Sequence, residues 1–380
     1  MSKTTSEVIT CRAAVCWGLG KPFTIEDIEV EAPKLSEVRI KMLCSSLCHT
    51  DILYWQEPLF GLFPRVLGHE GVGVVESIGE GVTDLKEGDL VIPTYLGECG
   101  ECENCTSGMS NLCFKYHVQV DGLMLDGTSR MSLKGEKLFH MMSCSTWSEY
   151  TVVNSNYVLK FDPRLQIEHA SLLSCGYSTG FGGAWKEAKI KKGSTVAVFG
   201  LGAVGLGAVE GARIMGATKI IGVDLNEWKK EKGEVFGMTD FINPAKSDKP
   251  LSDLIKEITG GMGVDYCIEC TGAQPLLNQA IESSKIGKGV TILIGTTLQT
   301  SNTINPFQML FGRTLKGSIF GGIKPQSDFP AIIEKNINKE LKIDALVTHE
   351  IQLDDINRAL NEVAKQPDCL KVIIQMSKSV

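Results

Sequence analysis

Apolar positions follow different periods in successive stretches of the chain. Up to about residue 175 they come in short β-branched runs broken by Gly and Pro, such as VRIKML (38–43), GVGVVESIG (71–79) and GDLVIP (88–93). Runs of that length, bounded by turn residues, predict an antiparallel, strand-rich, barrel-like region. From about 178 to 320, apolar strands such as TVAVFG (195–200) and KIIGVD (219–224) alternate with helical stretches. That is the βαβ pattern of a parallel doubly wound sheet. The last segment has a helical stretch near DDINRALNEVA and a terminal strand, KVIIQM, which is able to return to the first domain. No internal repeat or low-complexity linker is evident. The predicted class is α/β, with a β-rich domain made of 1–178 and 320–380 and a doubly wound domain over 179–319.

A length of 380 residues suits two domains. The net charge of −7 and pI near 5.5 argue against nucleic-acid and anionic-membrane partners. No apolar run approaches the roughly 20 residues of a membrane span. The stretch MSKTTSEVITCRAAV has neither the apolar core of a signal peptide nor the Arg-rich look of a transit peptide. A cytoplasmic protein is expected, and there its thirteen cysteines should stay reduced. Four of them fall in one short loop, which points to metal.

GLGAVG (200–205) lies directly between the strand TVAVFG and an apolar helical stretch, the context a dinucleotide fingerprint requires. Gly200 permits the tight turn, Gly202 lets the backbone approach a pyrophosphate, and Gly205 allows close helix–strand packing. The helix N-terminus supplies N–H donors and partial positive charge. Asp224 ends the next strand. Its carboxylate suits ribose hydroxyls and repels a 2′-phosphate, favouring NAD over NADP. Lys229 is placed to add a ribose contact.

Cys99, Cys102, Cys105 and Cys113 form C-x2-C-x2-C-x7-C in a polar, Gly-containing loop. Four thiolates so spaced close a tetrahedron around zinc with no open position, hence a structural site. A metal-free thiol cluster and an iron–sulfur cluster are the alternatives. A dispersed set comprises Cys48 in CSSLCHTD, His69 and Glu70 in VLGHEGVG, and Cys175 in LLSCGYSTG. Singly, each cysteine reads equally well as a small buried residue. Together, two sulfurs and one imidazole leave the fourth tetrahedral place for water or a substrate oxygen, where zinc acts as a Lewis acid. CIEC (267–270) reads as packing within an apolar strand, and His140, His169 and His349 as packed or surface histidines.

GHEGVGVVESIGEGV (68–82), the four-Cys loop, LLSCGYSTGFGGAW (172–185), GLGAVG and GRTLKGSIFGG (312–322) together resemble the zinc-containing medium-chain dehydrogenases, specifically the plant-type alcohol dehydrogenases. The resemblance covers essentially the whole chain. It implies a GroES-like catalytic domain, a Rossmann domain, a homodimer, one catalytic and one structural Zn2+, NAD, and a small alcohol or aldehyde substrate. It makes Cys48, His69 and Cys175 the catalytic zinc ligands, Asp51 the carboxylate that orients the histidine, Glu70 the acid behind the metal, and Thr50 the hydroxyl that takes the alcohol proton. Thr179 faces the cofactor, and His49 lies on its pyrophosphate. Leu59, Tyr95, Val118, Met141, Met142, Thr297 and Ile319 line a largely apolar pocket suited to an aliphatic, aromatic or terpenoid alcohol.

The chain departs from the family at three positions. Leu53 replaces the histidine that ends the usual proton relay, and Lys371 replaces a phosphate-binding arginine, losing its bidentate fork. His117 stands where the glutathione-dependent formaldehyde dehydrogenases carry an arginine. Two other functions stay open: a reductase of iminium or conjugated carbonyl groups on the same fold, favoured by Leu53, and a non-catalytic NAD-binding protein, against which the complete ligand set argues.

Overall fold

The computed structural model describes residues 7–58, 61–296 and 303–376. The chain forms two compact units, 1–175 with 324–380 and 176–323. These breaks lie a few residues from the expected 178 and 320. The reason is local: a Cβ on Gly321 would lie 2.2 Å from the Thr179 carbonyl, so the Phe320–Gly322 turn and the Gly176–Gly182 helix pack together in the second unit.

In the second unit six parallel strands lie in the order Asp240–Ile242, Lys219–Val223, Thr195–Phe199, Tyr266–Glu269, Val290–Leu293, Thr314–Gly317. Numbered along the chain this is 3-2-1-4-5-6, the dinucleotide-binding order. The central strand is apolar and buried from Val196 to Phe199, as expected for a parallel sheet covered on both faces. Cys267, of the CIEC motif, is buried in the same core. Next to the sheet, the helices Gly176–Gly182 and Ala203–Ile214 meet backbone to backbone. A Cβ on Gly180 would lie 1.7 Å from the Val204 carbonyl oxygen, and one on Gly207 2.3 Å from that of Tyr177. The buried Tyr177 hydroxyl donates to Glu210 at 2.7 Å, and Arg213 donates to the same carboxylate at 2.9 Å.

Two sheets build the first unit, joined by a bridge between Ala13 and Ser148. The smaller runs Arg65–Val66, Ile9–Cys16, Phe23–Val30, Met131–Leu133, Glu136–Lys137. The larger is organised around Glu37–Ser46, which pairs with Glu70–Ile78, Tyr150–Asn154 and Lys371–Gln375. The terminal KVIIQM strand thus returns to the first unit, placing Ile373 opposite Ser46. A buried Arg130 fork on Glu37, at 2.7 and 2.8 Å, closes the start of the central strand. Both partners are satisfied, the condition under which a buried ion pair is tolerated. Among the described residues no helix is long and apolar enough to cross a membrane.

Gly180→Ala is expected to cost about 3 kcal/mol, since overpacking against immovable backbone sits at the upper end of such penalties. Chemical denaturation of the two proteins checks it; an unchanged midpoint would show that the helix contact yields.

Candidate active site and metal centres

Cys48 caps the helix His49–Gln56, directly after the central strand. Asp51, in the first turn, reaches back to accept the Cys48 N–H at 2.8 Å. Its other oxygen takes His69 Nδ1–H at 2.8 Å, and both side chains are fully buried. With Nδ1 donating to this carboxylate, the neutral imidazole offers its lone pair at Nε2. That nitrogen is buried and makes no hydrogen bond among the described residues. The turn ahead of it needs Gly68, at φ +92°, where a Cβ would lie 2.5 Å from Thr146 and Trp147. Cys175 follows the helix Ile167–Leu173 and is also buried.

Ligand atoms of Cys48, His69, Glu70 and Cys175 lie within 4.8 Å of one another. An uncommitted buried imidazole nitrogen facing two sulfurs fits a zinc ion. Glu70 is differently engaged. Lys371 Nζ and Ser46 Oγ both donate to its Oε2, and Lys371 Nζ also donates to the Leu47 carbonyl at 3.1 Å. Cys48, His69 and Cys175 are thus the residues that could hold a zinc ion here, with Glu70 beside them. Electrostatics agree: the Cys48 thiol is held well below its ordinary value by its hydrogen bond with Cys175, then, against the effect of burial, by Lys371 and His69. Burial raises Glu70 while Lys371 lowers it.

Thr50 Oγ1 lies 3.9 Å from Cys48 Sγ. The Tyr95 hydroxyl lies 3.7 Å from Cys175 Sγ, and its ring stands edge-on to His69 at 5.7 Å. Met141 and Met142 are buried, in a loop where Met142, Ser143 and Ser145 take left-handed φ of 46°, 61° and 47°. Val118 is half-buried and His49 opens its helix. Leu59 and Thr297 lie outside the described residues. Ile319, in the second unit, is 47% exposed.

The second centre is local. Cys99, Cys102, Cys105 and Cys113 bring their sulfurs within 4.8 Å of one another, with Cys99–Cys105 at 3.8 Å and Cys102–Cys113 at 3.9 Å. A tetrahedron with Zn–S of about 2.3 Å has edges of about 3.8 Å, so the spacing fits zinc. Backbone N–H groups of Cys102 and Tyr116 donate to Cys99 and Cys113, each at 3.3 Å. Those of Cys105 and Phe114 bring the Cys102 thiol down to about 6. Lys324 donates to the Cys105 carbonyl, and Glu98 accepts from the backbone and hydroxyl of Ser327. The lobe is thereby tied to the start of the helix Pro325–Ile337.

In the second unit, Gly202 caps the Ala203–Ile214 helix, and a Cβ on it would meet nothing within 4 Å. A Cβ on Gly205 would lie 1.7 Å from the Gly200 carbonyl, so backbone and helix fit only with glycine there. Asp224 accepts the Leu201 N–H at 2.8 Å, the Asn226 N–H at 2.9 Å and Lys229 Nζ at 3.2 Å, which fixes its carboxylate beside the glycine turn. Thr179 Oγ1 is buried and makes no hydrogen bond among the described residues. The open space at Gly202 in front of a helix N-terminus and the steered carboxylate fit a dinucleotide.

Ser46, Leu47 and the Tyr95 hydroxyl were missed as site groups by sequence reasoning. Ser46 and Leu47 have no motif of their own, and Tyr95 read only as apolar wall. Lys371, expected on a cofactor phosphate, has its ammonium on Glu70 and a backbone carbonyl.

The alcohol dehydrogenase GroES-like domain family matches residues 34–163, and the zinc-binding dehydrogenase family matches 203–338. A "CYP enzymes assisting alcohol dehydrogenase" of Catharanthus roseus is 60% identical over 376 residues, 97% of this chain and all of that one. Alcohol dehydrogenase 1 of Artemisia annua is 56% identical over 378 residues, 99% of this chain and all of that one. The crystal structure of benzyl alcohol dehydrogenase from Acinetobacter calcoaceticus superposes with a TM-score of 0.88 at 30% identity, covering 97% of this chain and all of that one.

Elemental analysis is expected to give two zincs per chain, one for each ligand group. Cys102→Ser should lose one and lower the melting temperature, because metal binding at such a lobe is folding free energy. Cys175→Ser should lose the other. A wild-type content of one zinc or none overturns the assignment.

Proposed function

We propose that this chain, which belongs to the zinc-containing medium-chain alcohol dehydrogenase family, moves a hydride between a primary or secondary alcohol, or its aldehyde or ketone, and NAD. The observation that carries the reading is the buried, uncommitted His69 Nε2 beside Cys48 and Cys175. Zinc held by these three residues supplies a Lewis acid that lowers the pKa of an alcohol, and NAD supplies the hydride acceptor.

The protein's own groups do the rest. Asp51 keeps His69 in the tautomer that offers Nε2. Lys371 and Ser46 hold Glu70 by hydrogen bonds to its Oε2. Thr50 Oγ accepts the alcohol proton. Leu53, one helical turn on, is hydrocarbon and cannot pass that proton outward. Met141 and Met142 give the pocket an adaptable apolar wall, which favours an aliphatic, aromatic or terpenoid alcohol. By its name the Catharanthus roseus relative assists CYP enzymes; in the same setting the substrate here is an alcohol made by prior oxidation of an apolar skeleton. The second reading, a reductase of iminium or conjugated carbonyl groups, rests on Leu53, since such a reaction moves no hydroxyl proton through Thr50.

A homodimer is supported by the edge strand Thr314–Gly317, which among the described residues pairs on one side only. Phe307, Phe311 and the 81% exposed Leu310 adjoin it in sequence. An unpaired edge flanked by exposed apolar residues is covered most simply by its own copy across a two-fold axis. A cytoplasmic location is supported by thirteen cysteines that take part in no disulfide.

A panel of alcohols with NAD, read by NADH absorbance, tests the activity; no turnover with any of them overturns it. Asp224→Gly is expected to raise the NADP-to-NAD ratio of kcat/KM by at least about tenfold, since it removes the carboxylate that repels a 2′-phosphate. Comparable efficiency with both cofactors in the wild type would refute the preference. Leu53→His should raise alcohol oxidation near neutral pH by roughly tenfold and less in alkali, where hydroxide takes the proton directly. No effect at any pH would mean either that the proton already leaves by another path or that the native reaction is the reductase's, with no hydroxyl proton to move.

A further inference from the structure

We propose that Tyr95 is a positioning residue of the metal centre, donating its phenolic proton to the Cys175 sulfur and so limiting the charge that this sulfur gives the metal. The inference rests on Cys175 being a zinc ligand, as read above. Its basis is the 3.7 Å contact between the Tyr95 hydroxyl and Cys175 Sγ, within the longer range that sulfur acceptors allow. A cysteine that ligates zinc has lost its proton. The only proton on this contact is then the phenol's, and the direction of the bond is settled: O–H donates, sulfur accepts.

The surrounding backbone holds the phenol in place. Tyr95 follows the strand Leu90–Pro93 and is 7% exposed. The preceding residue is tied down three times: Thr94 N–H donates to the Tyr157 carbonyl at 2.8 Å, and Thr94 Oγ1 makes contacts of 2.8 Å to the Leu96 carbonyl and 3.0 Å to that of Tyr157. A Cβ on Gly97 would lie 2.5 Å from Tyr116, so the corner is closed on its far side too. The ring lies edge-on to His69 at 5.7 Å and 77°, an arrangement aromatic pairs favour. One side chain therefore touches two of the three ligands, one through its hydroxyl and one through its ring.

The consequence is electronic. A hydrogen bond to a ligand sulfur withdraws charge from it, so the sulfur donates less and the metal stays the stronger Lewis acid. Removing only the hydroxyl reverses this while keeping the ring against His69. A phenylalanine at 95 would serve equally well as apolar wall, and the hydroxyl is what separates the two roles.

The test uses the full chain with cobalt(II) at the three-ligand site and zinc kept at the four-cysteine site. In Tyr95→Phe the sulfur-to-cobalt charge-transfer band should move to longer wavelength, because the sulfur electrons are held less tightly. In the zinc enzyme the acid limb of the pH profile for alcohol oxidation should move up by about half to one unit, the size expected from one net hydrogen bond. Tyr95→Leu should shift the band in the same direction. An unshifted band in Tyr95→Phe overturns the proposal, as does a shift seen only in Tyr95→Leu, which would give the effect to the ring. A changed KM with band and pH profile unmoved would make Tyr95 pocket lining alone and also overturns it. Absence of any charge-transfer band in the wild type would remove both Cys48 and Cys175 from the ligand set, a failure of the metal reading distinct from the others.

Discussion

The active centre depends on one buried carboxylate. Asp51 is fully buried and spans two elements, taking the N–H of the residue that caps its own helix and the Nδ1–H of a histidine at the head of a strand. Burial raises the pKa of Asp51, with the charge of His69 and then their hydrogen bond opposing that rise. Such a group is costly unless both oxygens are engaged, and here both are. The same two bonds set the Cys48 sulfur and the His69 Nε2 relative to each other. Helix start and ligand geometry are therefore one constraint, and neither can move without exposing a buried charge.

Around this carboxylate lies a layer made by topology. The terminal strand pairs with the central one so that Ile373 faces Ser46, and Lys371 then reaches both Leu47 and Glu70. Those contacts join residues more than 300 positions apart, and no local pattern announces them. The four-cysteine centre differs in kind. Its ligands fall in one short loop, and the N–H donors on its sulfurs come from within or beside that loop. The first centre exists only when the sheet is complete. The second needs only its own lobe and the ties to the helix Pro325–Ile337.

This difference sets how much the amino-acid sequence discloses. The four-cysteine spacing, the glycine fingerprint and Asp224 are local, and reading residues in order recovers both their identity and their roles. The strands within TVAVFG and KIIGVD are likewise legible, because burial on both faces demands short apolar runs. Cys48, His69 and Cys175 are legible only as a set, since each alone is a plain buried residue. Ser46, and the partner Lys371 chooses, follow from strand register, which hydrophobic pattern does not encode for a strand buried on both faces. The contacts at Gly180 and Gly321, which pack the Gly176–Gly182 helix within the second unit, depend on a missing Cβ rather than on any apolar signal.

At 371, where the family resemblance leads one to expect an arginine, the chain carries a lysine, and the two side chains differ in what they can hold. A guanidinium presents five donors in a fixed fork and can serve a carboxylate and a phosphate together, whereas an ammonium is a compact point charge with three donors. Here two of those donors go to Glu70 and to the Leu47 carbonyl. The head of the Ala203–Ile214 helix has free space in front of Gly202 and a carboxylate steered by the Leu201 N–H. Amides and a helix dipole bind phosphate without any side-chain cation. Lys371, buried among the described residues, is held by Glu70 and the Leu47 carbonyl, and the head of the Ala203–Ile214 helix fits an anion through its own main chain.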